Sequence, residues 1–67
     1  MKNRLTVIRA EKKISQAELA KMAGISRATL SDIENEKASP DAVTIAKLVK
    51  ALGISANLIF FDFDVVN

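Results

Sequence analysis

The side chains that most often act as nucleophiles or general bases near neutral pH are scarce here, with no His, no Cys and no Tyr in 67 residues. No glycine-rich phosphate loop is present, and no pair of acids marks an evident cleft. An enzyme is therefore the least favoured class. What remains is the chemistry of cations, amides and hydroxyls. Residues 1–60 carry all ten Lys and Arg but only six acids, a charge of +4, while Asp62 and Asp64 make the tail −2. A dimer would hold about +8 on this part, which suits a polyanion if the basic groups share a face. Scattered over a solvated surface, the same charges would imply nothing about a partner.

Those side chains need a scaffold, and its clearest piece is Gln16 to Asn35, QAELAKMAGISRATLSDIEN. A helical pattern from Gln16 to Ala23 puts Leu19, Ala20 and Ala23 or Met22 on one face. A second pattern turns Leu30 and Ile33 inward. Gly24 lies where a left-handed residue must end the first helix, and Ser26 is placed to cap the second. Ala20 is small where the helices come together. An αα-hairpin in a small bundle is the plain alternative. Agreement at the small residue, the glycine, the cap and two apolar contacts favours a helix-turn-helix, whose second helix docks in the major groove of DNA.

Around this motif the spacing predicts a first helix over Lys2–Lys12, with Leu5, Ile8 and Arg9 turned inward and Ile14 as a plug behind it. Ser15 and Glu18 form a capping box ahead of the second helix. The third helix runs from Arg27 to Asn35, followed by the polar loop Glu36–Pro40. Asp41 caps a fourth helix, Ala42–Leu52, with Ile45, Leu48, Val49 and Leu52 facing the core and Gly53 ending it. The segment Leu58–Val66 holds all three phenylalanines and alternates, so Ile59, Phe61, Phe63 and Val65 would line one face of a β-strand. A lone strand leaves its edge unpaired, and antiparallel pairing with a second copy would satisfy it. A short fifth helix at Ala56–Phe60, capped by Ser55, is the competing reading.

The length allows one domain, and dimer formation is a common way for so short a chain to bury more surface. No segment is long and apolar enough to span a membrane, and the start lacks the apolar run of a signal peptide. Without Cys there is no disulfide framework and no thiolate metal site. The expectation is a cytoplasmic protein with no membrane partner.

The stretches KNRLTVIRAEKKISQAELAKMAGIS, SRATLSDIENEKASP and KLVKALGIS together resemble the Cro/C1-type (XRE) helix-turn-helix family of bacterial and phage regulators. The resemblance implies an all-α, lambda-repressor-like bundle of four or five helices over residues 1–56, with the motif at 16–35. The tail, 57–67, resembles the strand of the HipB-like antitoxin branch and would be the dimerisation element. Carried over by position, the resemblance places Gln16 against a DNA phosphate. It places Ser26, Arg27, Ala28, Thr29 and Asp32 along the groove-facing side of the recognition helix, and Asn35 and Lys37 at a backbone-contacting corner. Arg27 would read guanine O6 and N7 or bind a phosphate. Ala28 would touch a thymine methyl. Asp32 would accept from cytosine N4, repel wrong sequences or pair with Arg27. Arg9 and Glu34 match a buried structural ion pair. Where the family often has Glu-Asn-Gly-Lys, this chain has Glu34-Asn35-Glu36-Lys37, so Asn35 or Glu36 must end the helix, and Asn is the better left-handed residue.

The resemblance implies a homodimeric repressor of double-stranded DNA, cytoplasmic and nucleoid-associated, with no cofactor. An antitoxin that also represses its own operon, with a cognate toxin as partner, is the alternative. A scaffold that has lost DNA binding is a further one, suggested by Asp32 and Glu36 on the DNA-facing side.

Overall fold

Eight-residue helices do not persist alone in water, so each needs a defined start, a defined stop and a surface to pack on. The structure, a computed structural model, describes residues 1–61 and contains five helices: α1 (Leu5–Lys12), α2 (Gln16–Ala23), α3 (Arg27–Glu34), α4 (Ala42–Leu52) and α5 (Ala56–Ile59). The all-α architecture expected from the sequence is the one observed.

Three helix starts use the side chains that the sequence offers. The Ser15 hydroxyl accepts from Glu18 N–H at 3.0 Å, and Glu18 Oε1 accepts from Ser15 N–H at 2.7 Å, completing the capping box of α2. Ser26 accepts from Thr29 N–H at 3.0 Å to start α3. Asp41 accepts from Thr44 N–H at 2.8 Å to start α4. Between α2 and α3, Gly24 takes φ +70°, and a Cβ there would meet nothing within 4 Å. Backbone conformation, not space, demands the glycine.

The core is built from every helix. Leu5 and Ile8 of α1 meet Leu19, Ala20 and Ala23 of α2, Leu30 and Ile33 of α3, Leu48 and Leu52 of α4, and Ile59 and Phe60 at the chain's far end. Ile14, Ile45 and Val49 are half-buried against this cluster, as their spacing predicts.

Three boundaries differ from expectation. First, α1 begins at Leu5 and not at Lys2, because Asn3 is engaged elsewhere. Its Oδ1 accepts from Leu5 N–H at 3.0 Å, and its Nδ2 donates to the Ile33 carbonyl at 2.9 Å. Asn3 also forms an isolated antiparallel bridge with Phe60, with Arg4 N–H donating to Ile59 O at 2.9 Å and Phe61 N–H to Lys2 O at 3.1 Å.

Second, the strand expected from Leu58 does not begin there. Residues 56–59 are helical, Ile59 is fully buried in the core of its own chain, and Phe60 is buried beside it. Ile59 therefore has no face to offer a second copy. Burying large apolar side chains in the core, with α5 packed on α4, outweighs the local β-propensity of the segment. Phe61 is 46% exposed, while Phe63 and Val65 lie outside the described residues.

Third, the end of α3 is managed by Glu36 at φ +62°, with Asn35 at φ −90°. The better left-handed residue is one position too early. Glu36 N–H bonds Ile33 O at 3.1 Å and Lys37 N–H bonds Asp32 O at 2.8 Å, which fixes the reversal at Glu36.

A side chain in this conformation costs roughly 1 kcal/mol, part of which glycine returns through unfolded-state entropy. Glu36→Gly is expected to stabilise the fold by about 0.5–1 kcal/mol, raising the melting temperature by a few degrees. A lower melting temperature would contradict the geometry. The caps also set an acid limit. Glu18 is held below its ordinary 4.5 by the Ser15 backbone N–H, then by the Ser15 hydroxyl. Asp41 is held below 3.8 by the Thr44 backbone N–H, then by the Thr44 hydroxyl, with Lys47 helping. Both groups have lowered folded-state values, so their contribution is complete above about pH 5 and is lost as pH falls through those values. Thermal unfolding from about pH 6 down to about pH 3 should show decreasing stability, with a shallower decrease in the Glu18→Gln, Asp41→Asn double variant.

Candidate nucleic-acid interface

With Leu30 and Ile33 pointing into the core, helical spacing turns Ala28, Thr29, Asp32 and Asn35 outward, and all four are exposed. Arg27 opens this face and Lys37 lies just beyond its end, both exposed. Ser26 is exposed, but its hydroxyl is committed, accepting from Thr29 N–H and donating to Thr29 Oγ1 at 2.8 Å. Thr29 keeps its own hydroxyl proton for another acceptor. Asn35 Nδ2 is 3.3 Å from Ser31 Oγ, a weak bond that leaves the amide available. The Asp32 carbonyl accepts from Lys37 N–H, while its carboxylate points to solvent and does not pair with Arg27.

Arg27 instead bonds Gln16. Its Nε–H donates to Gln16 Oε1 at 3.2 Å, and Gln16 Nε2 donates to Glu34 Oε1 at 3.0 Å. Only one orientation of the carboxamide suits both neighbours, since a carboxylate can only accept and a guanidinium can only donate. Gln16 is thus half-buried and oriented at the first position of α2, with one amide proton left. Its neighbours Arg9 and Glu34 form the ion pair expected of them. Arg9 Nε donates to Glu34 Oε2 at 2.7 Å and Nη2 to Oε1 at 3.1 Å, a two-pronged contact with side chains 17% and 4% exposed. Arg9 Nη1 reaches the Ile14 carbonyl at 3.3 Å, and the pairing with Glu34 raises the Arg9 pKa above its ordinary value, against desolvation that lowers it.

Thr6 completes the cluster, its hydroxyl donating to Glu34 Oε1 at 3.4 Å. Sequence reasoning missed both Thr6 and Asn3. Thr6 is an exposed helix residue with no distinguishing local signal, and Asn3 sits in what reads as the first turn of α1.

The site separates into two groups along α3. Ser26, Arg27 and Thr29 lie at its start and Asn35 and Lys37 at its far end, roughly 12 Å of helix away, while Gln16 at the start of α2 bonds Arg27 of the one end and Glu34 of the other. At the opposite end of α2, a groove of about 550 Å³ between α2 and α4 is lined by Lys21, Met22, Lys47 and Lys50 and carries no acid, so it offers no general acid–base pair. Among the described residues no cluster of three or more His, Cys, Asp or Glu could hold a metal ion, and no helix is long and apolar enough to cross a membrane.

Comparison with known proteins matches this arrangement. The family model HTH_3, described as Helix-turn-helix, matches residues 7–59. Among similar proteins, the chain is 39% identical over 56 residues to the immunity repressor protein of Bacillus phage phi105, which covers 84% of this chain and 39% of that protein. It is 34% identical over 56 residues to antitoxin HipB of Escherichia coli O6:H1 (strain CFT073), covering 84% of this chain and 60% of that one. The restriction-modification controller protein C.AhdI of Aeromonas hydrophila superimposes with a TM-score of 0.80 at 33% identity, covering 85% of this chain and 86% of that one. The chain thus spans less than two thirds of the phage repressor and of HipB.

Arg9→Ala is expected to leave Glu34 buried without its countercharge and to cost roughly 3–5 kcal/mol, enough to unfold much of so small a domain near physiological temperature. An unchanged melting temperature would remove the pair from its structural role.

Proposed function

For a chain that belongs to the helix-turn-helix family, we propose the function of a homodimeric DNA-binding transcription regulator, a repressor that lays α3 in the major groove of double-stranded DNA. The observation that carries this reading is the outward face of α3. It is exposed along its length, begins at Arg27, ends by Lys37, and is held on a core that uses its other face completely. Gln16, with one amide proton remaining, and Lys37 bind phosphates, and the N-terminus of α2 adds its partial positive charge. Arg27 reads guanine, Ala28 meets a thymine methyl, Thr29 donates its free hydroxyl proton, and Asp32 accepts from cytosine N4. Ser26 fixes Thr29, and Asn35 contacts the backbone beside Lys37.

The homodimer follows from exposed apolar surface near the described end of the chain, where Leu58 and Phe61 are 55% and 46% exposed. Phe63 and Val65 continue that contact in this reading. A two-fold dimer places its recognition helices about one turn of DNA apart, roughly 34 Å, and so calls for a pseudo-palindromic operator. No cofactor takes part, and the protein works in the cytoplasm on the nucleoid.

A second reading, an antitoxin that represses its own operon, is favoured by the similarity to HipB. A toxin encoded beside it that co-purifies with the full chain would support that role.

Selection from a randomised duplex pool is expected to enrich an inverted repeat, with affinity falling steeply as salt rises. Arg27→Ala should then cost roughly 1–3 kcal/mol and relax preference at one base pair per half-site. A uniform loss across sequences would instead make Arg27 a phosphate contact, and the absence of any enriched sequence would overturn sequence-specific binding.

A further inference from the structure

The groove between α2 and α4 is lined by three lysines, Lys21 from α2 and Lys47 and Lys50 from α4, and by no acid. Lys47 acts on Asp41 at the start of its own helix, whereas Lys21 and Lys50 take part in no ion pair among the described residues. Like charges around one concavity repel each other unless an anion lies among them. Between the lysines the lining is small and apolar. Ala23, Gly24 and Ala51 leave room, a Cβ on Gly24 would meet nothing within 4 Å, and Met22 is 53% exposed. An unbranched thioether adapts to whatever packs on it. The occupant that suits such a groove carries carboxylates and bulky apolar groups together.

One segment of the chain has that composition. Beyond the described residues, Asp62, Phe63, Asp64 and Val65 alternate acid with apolar, following the exposed Phe61. Extended backbone sets such residues on two sides, apolar on one and carboxylate on the other. The apolar side fits Met22 and Ala51, and lysine stems are long enough to carry their ammonium groups past it to the carboxylates. The tail departs beside Lys2, whose carbonyl accepts from Phe61 N–H, and Lys2 lines no part of the groove. Ala51, by contrast, lies in the last turn of α4, on which α5 packs with Leu58 exposed. The groove thus adjoins the apolar surface already assigned to a second copy.

We propose that the acidic tail of one protomer docks in the α2–α4 groove of its partner, with Asp62 and Asp64 among the three lysines and Phe63 against Met22. This inference rests on the homodimer reading above and deepens it. It adds a charged lock to the apolar contact of Leu58 and Phe61. It also gives the two acids of the tail a place away from the DNA-facing side of α3.

The test uses the full chain. It has no cysteine, so Asn67→Cys takes a single nitroxide spin label, and only two methionines, so the Met22 methyl resonance is readily assigned against Met1. Chains carrying the label are mixed with unlabelled chains whose methionine methyls are enriched in carbon-13. The Met22 methyl should broaden, and the broadening should weaken as salt rises. Lys21→Glu with Lys50→Glu should abolish it and weaken the dimer about tenfold in sedimentation. Asp62→Lys with Asp64→Lys in the labelled partner should restore both, an exchange of charges that loss of folding could not reverse.

An unaffected Met22 methyl in a protein that sediments as a dimer overturns the inference and leaves the homodimer standing. A protein that sediments as a monomer overturns the homodimer, and the inference with it. Broadening confined to molecules that carry label and methyl on the same chain places the tail in its own groove and overturns docking on a partner. Failure of the charge exchange to restore the dimer overturns the pairing of acids with lysines. A groove variant that loses affinity for every DNA sequence, while broadening and dimer persist, makes the groove a phosphate surface and overturns the proposal.

Discussion

The Glu34 carboxylate is the point on which the arrangement depends. With its side chain 4% exposed, it accepts from Arg9 twice, from Gln16 and from Thr6, and so joins α1, α2 and α3 through one group. A buried carboxylate is tolerated only when its lone pairs are met, and meeting them fixes the relative placement of three short helices. Apolar contacts alone would leave these helices freer to slide, because hydrophobic burial is non-directional. The ion pair supplies direction. It does so at the end of α2 where the residues assigned to DNA recognition gather, so rigidity of the fold and rigidity of the site have a common source.

Short elements need sharp ends, and local chemistry supplies most of them. Ser15, Ser26 and Asp41 each satisfy an N–H that the first turn of a helix leaves open, while Gly24 and Gly53 close the other ends of α2 and α4 in the left-handed region. The loop after α3 departs from this pattern, with Glu36 in a conformation that glycine adopts at lower cost. Its side chain places a negative charge beside Lys37, at the corner assigned to the DNA backbone. In the proposed DNA-binding role, that charge would weaken attraction to phosphate there and leave more of the interaction to Gln16 and Arg27.

The two ends of the described chain close the bundle from the other side. Asn3 bonds the last turn of α3 through Ile33 O and pairs with Phe60 through the backbone, while Ile59 and Phe60 fill the space beneath. The last turn of α3 is therefore tied to the N-terminus through Asn3 and to α1 through Glu34, while Arg27 at its start is bonded to Gln16. A helix gripped at both ends presents its outer face with little freedom to tilt, which suits docking in a groove of fixed width.

What the sequence by itself determined were the features written in short-range spacing. These are the capping box at Ser15 and Glu18, the Gly24 turn, the caps at Ser26 and Asp41, and the inward positions of Leu19, Leu30, Ile33, Leu48 and Leu52. Each depends on residues three or four apart, so local pattern suffices to read it. The Arg9–Glu34 pair was legible only through family resemblance, because its partners are 25 residues apart. Tertiary structure alone decided that Asn3 leaves the helix to reach Ile33, that Ile59 turns into its own core, that Glu36 and not Asn35 takes the left-handed position, and that Gln16 stands between Glu34 and Arg27. In each of these, a long-range partner or a buried volume competes with local preference. Which one prevails depends on what the folded chain brings within reach.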